Sequence, residues 1–68
     1  MNNKEKDREL LLSYIKEHGR ASVNELKEES GAEPLRVDAI LFEEVYNNKL
    51  NVLKRGLWGE MVSVEWRS

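Results

Sequence analysis

A chain of 68 residues is a single domain. It lacks cysteine, so neither a disulfide framework nor a thiolate metal site is open to it, and its stability must come from apolar packing, aided where needed by a partner subunit. The net charge of −2 weighs against a general polyanion binder, but the charge is unevenly spread.

Residues 1–48 carry seven Lys/Arg against eleven Asp/Glu, a balance of −4, whereas residues 49–68 carry four against two, a balance of +2. Positive charge is concentrated in the C-terminal third. No apolar run approaches the roughly 20 residues that cross a bilayer. The start, Met1-Asn2-Asn3-Lys4-Glu5-Lys6-Asp7, has no apolar signal-peptide core. The cytoplasm is therefore the expected compartment, and no membrane partner is expected. Residues 1–7 are expected to be a flexible polar tip, with the folded domain spanning 8–68.

The spacing predicts a first helix from about Lys4 to His18. Leu11, Ile15 and His18 fall at i, i+4 and i+7, and Leu12 adds to the same face. Gly19 sits where a left-handed residue would stop the helix. His18, with no second His and no Cys, reads as a helix-end residue rather than a metal ligand or base. Arg20-Ala21 is too short for a helix and could form a short strand beside a later hairpin.

Ser22-Val23-Asn24-Glu25 is a capping box. The Ser22 hydroxyl can accept from the Glu25 N–H while the Glu25 carboxylate reaches back to the Ser22 N–H. A second helix follows, with Val23 and Leu26 facing inward and Lys27, Glu28 and Glu29 solvated, and Gly31 stops it. Glu33-Pro34 opens a third helix, since Pro is favoured in the first helical turn. Val37, Leu41 and Val45 recur at i, i+4 and i+8, and Ile40 extends this inward stripe. The opposite face is expected to carry Arg36, Ala39, Glu43 and Asn47, with Tyr46 at its edge. Phe42, off the centre of the stripe, either broadens the core or lines a dimer interface.

From Leu50 the period changes to two. Leu50–Arg55 and Glu60–Trp66 are β-prone, and Gly56-Leu57-Trp58-Gly59 supplies the turn of an antiparallel hairpin. Val62, Val64 and Trp66 are expected inward, with Met61, Ser63 and Glu65 outward. Trp58 is expected to fold back over the hairpin as a satellite core residue; the alternative is an exposed anchor for a partner.

The order is helix, short strand, helix, turn, helix, hairpin. With Leu11-Leu12-Ser13-Tyr14-Ile15, Gly19 to Leu26, Gly31-Ala32-Glu33-Pro34 and Val37 with Leu41, it resembles the winged helix-turn-helix domains of bacterial and archaeal regulators over Arg8 to Trp66. The resemblance implies a small α+β fold of three helices with a C-terminal wing. It implies a third helix that docks in the major groove and a hairpin that contacts the adjoining backbone.

Two functions follow. In the first, the chain is a DNA-binding transcriptional regulator, acting as a homodimer on duplex DNA through Arg36, Asn47, Lys54 and Arg55, with Lys27 and Lys49 on phosphates. Glu43 stands against it, because a carboxylate on the reading face is repelled by phosphate unless it accepts from a cytosine amino group. In the second, the same scaffold is a protein-interaction module, an adaptor or inhibitor that docks through Phe42, Tyr46, Leu57 and Trp58, with Leu35 nearby. Lys54 and Arg55 would then only solubilise the hairpin tip and guard its edge. An enzyme is not expected. There is no glycine-rich phosphate loop, no metal-ligand cluster, no cofactor motif and no nucleophile–base spacing. The pairs Glu28-Glu29 and Glu43-Glu44 read as solvated charge.

Overall fold

The computed structural model describes residues 3–68. The elements are α1 (Asn3–His18), β1 (Arg20–Ser22), α2 (Val23–Ser30), α3 (Pro34–Tyr46), β2 (Leu50–Arg55) and β3 (Met61–Trp66). The fold is α+β, with three helices and a three-stranded antiparallel sheet in the order β1-β3-β2. The short Arg20–Ser22 segment thus joins the later hairpin, with Ala21 opposite Val64. Of the polar tip expected over residues 1–7, residues 1 and 2 lie outside the described residues, and residues 3–7 are helical. Among the described residues no helix is long and apolar enough to cross a membrane.

The helix ends follow from side-chain chemistry. Gly19 takes φ 83° and its N–H bonds to the Ile15 carbonyl at 2.7 Å, closing α1. The Ser22 hydroxyl accepts from the Glu25 N–H at 3.0 Å, and the Glu25 carboxylate accepts from the Ser22 N–H at 3.4 Å. Both arms of the capping box are therefore made. Gly31, at φ 66°, ends α2 in the left-handed region. Pro34 opens α3 with no side-chain cap from Glu33.

The core sits between the helices and one face of the sheet. Leu11 and Ile15 of α1, Leu26 of α2, Ile40 and Leu41 of α3, and Leu50 and Val64 of the sheet are fully enclosed. Two details depart from the sequence expectation. On α3 the buried row is Val37, Ile40, Leu41 and Glu44, while Val45 is only partly buried. A carboxylate, not Val45, completes the inward stripe, because position 44 lies in phase with 37, 40 and 41 on a 3.6-residue helix.

The second departure lies in the hairpin. Val52 pairs with Val64, Lys54 with Ser63, and Arg55 with Met61, so Leu53 is an extra residue on β2 and the register then shifts back. The strict alternation of β3 breaks there. Met61, expected outward, packs against the core together with Trp66. Lys16 lies over the Trp66 ring, 5.7 Å from its centroid.

The capping box predicts its own worth. Ser22→Ala should lower stability by about 1 kcal/mol. The expected readout is a lower urea midpoint with an unchanged slope; an unchanged midpoint would show that the cap contributes nothing.

Candidate interaction surface

The charged side chains of α1 and α3 neutralise one another. Arg8 reaches Glu43 at 2.6 Å and Glu44 at 3.3 Å, and Lys4 reaches Glu43 at 2.7 Å. Arg36 pairs with Asp7 at 3.1 Å and Lys27 with Asp38 at 3.4 Å. Glu44 is only 2% exposed, which corrects the reading of Glu43-Glu44 as solvated charge. Its Oε1 accepts from Arg8 and, at 3.4 Å, from the Asn47 amide; its Oε2 has no hydrogen-bond partner, with the Lys49 ammonium 3.7 Å away. The guanidinium beside it offsets part of the cost of enclosing the carboxyl group.

The hydrogen bonds from Lys4 and Arg8 hold the Glu43 carboxyl below the usual carboxylate range. Tyr14 donates to the Glu25 carboxylate, which is lowered by that bond and by the Ser22 N–H. The same bond pushes the Tyr14 phenol up to about 12. His18 stacks on Tyr14 with ring centroids 4.0 Å apart, and its Nδ1 bonds to the Tyr14 carbonyl at 2.8 Å, as suits a residue that ends a helix.

With its charges tied to α1 and α2, α3 turns an apolar row outward. Leu35 is 75% exposed, Phe42 69% and Tyr46 76%, and Ala39 lies exposed between them. Phe42 therefore does not broaden the core. Burying one such large side chain is worth about 1.5–3 kcal/mol.

The hairpin tip adds to this surface. Leu57 is 98% and Trp58 91% exposed, so Trp58 does not fold back over the hairpin. The reason is local. The Gly59 N–H bonds to the Gly56 carbonyl at 3.1 Å, the Glu60 carboxylate accepts from the Trp58 N–H at 2.9 Å, and the Arg55 guanidinium donates to the Gly59 carbonyl at 2.8 Å. This tight four-residue turn holds its two central residues at the tip, with their side chains in solvent. A cleft of about 510 Å³ lies between the hairpin and the helices, with Arg55, Met61 and Val62 on one wall and Val23, Asp38 and Phe42 on the other. Phe42 and the hairpin thus border one continuous surface.

The residues expected to contact DNA do not form a cationic face. Arg36, Lys27 and Lys49 each lie within 4 Å of a carboxylate, and the Asn47 amide is turned to Glu44. Lys54 and Arg55, on the hairpin, have no carboxylate partner among the described residues. The residues expected to contact protein, Phe42, Tyr46, Leu57 and Trp58, are all exposed and spread over α3 and the hairpin tip. Ala39 lies on the outward face of α3 as expected, but sequence reasoning missed the row it forms with Leu35, Phe42 and Tyr46, and it missed Arg8 as the partner of Glu44. The row was legible in the spacing of 35, 39, 42 and 46; the Arg8 pairing spans two helices and left no local signal. Comparison with protein-family models, curated proteins and solved structures finds no match for this chain.

Two outcomes follow from the charge network. Arg8→Ala, which strips Glu44 of its guanidinium, should cost about 1–3 kcal/mol. Adding Glu44→Leu should recover most of that loss, so strict additivity in a double-mutant cycle would refute the pairing. The second concerns acid. Glu43 and Glu25 lie below their ordinary value of 4.5 in the folded chain. Their stabilisation is therefore present above that pH and lost as pH falls through the lowered values. Thermal midpoints should drop on acidification below the ordinary value, and Glu43→Gln should flatten the drop.

Proposed function

We propose that this chain is a small winged-helix module that docks protein through the outer face of α3 and the hairpin tip, rather than reading DNA bases. The observation that carries this reading is the outward row of α3. A base-reading helix offers donors and acceptors to the groove, whereas this helix offers Leu35, Ala39, Phe42 and Tyr46. The winged-helix assignment is supported by the helix–strand–helix–helix–hairpin order and by the pairing of β1 with β3. The occupant suited to the row is another helix with an apolar stripe. The cytoplasm is the compartment proposed for its action.

A photo-crosslinking side chain at position 42, introduced in cells, tests this. Protein adducts are expected. Adducts to nucleic acid alone, or no adduct, would overturn the reading.

A second reading is favoured by the hairpin: a DNA-binding regulator that grips the duplex backbone through its wing. Among the described residues, no carboxylate pairs with Lys54 or Arg55. Two phosphate contacts per protomer give a salt slope of about −1.8 in log–log form. Anisotropy titration with random duplex at about 50 mM salt decides it. Binding that Lys54→Ala with Arg55→Ala abolishes would support the wing; no binding would remove DNA from the account.

A further inference from the structure

We propose that the outer row of α3 is the seam of an antiparallel homodimer, in which α3 lies against α3 of a second copy. The inference rests on the protein-docking reading and names its occupant. Leu35, Ala39, Phe42 and Tyr46 are spaced by four, three and four residues, the alternation that keeps a seam on one face of a helix. That spacing is palindromic. Reversing the helix about its centre places Leu35 against Tyr46 of the second copy and Ala39 against Phe42.

The sizes match under the same operation. The smallest side chain of the row faces the Phe ring, leaving a hole where a knob arrives. A two-fold interface requires that one patch complement itself, and this row does. The flanking charges agree. Arg36 and Glu43 lie on the same side of the seam, seven residues apart. On reversal, Arg36 of one copy comes beside Glu43 of the other. Their side chains keep 35% and 40% exposure beyond their own partners, Asp7 for Arg36 and Lys4 and Arg8 for Glu43. Antiparallel alignment also sets the two helix dipoles head to tail. A parallel pair would lose the size match and the dipole match: Phe42 would meet Phe42, Ala39 would meet Ala39, and the helix dipoles would run side by side.

The test uses the full chain and its lack of cysteine. By light scattering, the wild-type mass should rise with concentration from 8.0 kDa toward twice that value. Ala39→Glu should hold it at the monomer while circular dichroism keeps its helical signal. Register is read with Leu35→Cys and Tyr46→Cys. Mixed and oxidised, the two variants should form a disulfide-linked pair. Either one alone should not, because its sulfurs would stand about 16 Å apart along the seam at 1.5 Å per residue. A monomer at every concentration overturns the dimer, and cross-linking of either variant alone overturns the antiparallel register. The position-42 crosslinker separates this inference from the reading beneath it. An adduct of twice the chain mass supports both. An adduct of foreign mass alone overturns self-pairing and leaves protein docking standing. No protein adduct overturns both.

Discussion

Glu44 places a carboxylate in a row otherwise made of Val37, Ile40 and Leu41, and it is almost wholly enclosed. A buried polar group needs a hydrogen-bonding partner, and Arg8 supplies one from the other helix. The position of α1 follows. Its first turns must run beside the second half of α3 for Arg8 and Lys4 to reach Glu43 and Glu44. Once there, α1 also presents Asp7 to Arg36. One buried group thus aligns two helices and consumes much of the charge that either could have shown to a ligand.

This is also why the chain's surface differs from what its charge count suggests. An acidic first two-thirds reads as an acidic face, yet the acids of α3 turn sideways into pairs. Asp38 meets Lys27 on α2, and Glu43 meets α1. What remains outward on α3 is apolar. The helix thus carries an apolar stripe on each of two opposite sides. In this fold the inner stripe has its core and the outer one has none.

Much of the fold was legible from short-range chemistry. The Ser22–Glu25 box, the left-handed Gly19 and Gly31, and Pro34 at a helix start each act within a few residues, and sequence is a direct record of such contacts. The switch of period at Leu50 announced the hairpin for the same reason. Three things were not legible. The bulge at Leu53 depends on how β2 meets β3, so the inward place of Met61 could not be read from β3 alone. The burial of Glu44 depends on Arg8, thirty-six residues earlier. The outward Trp58 depends on how tightly its turn closes. The candidate surface was half visible: its aromatic residues were singled out, while the row that unites three of its members with Ala39 was hidden by attention to the charged positions between them.

The hairpin tip carries a last consequence. Arg55 and Glu60 bind the backbone of the turn from either side, so Leu57 and Trp58 project from a loop whose conformational entropy was surrendered when the chain folded. An incoming surface would meet a fixed shape rather than an ensemble to be narrowed. The backbone share of the ordering cost that weakens loop-mediated contacts is thereby reduced at this tip.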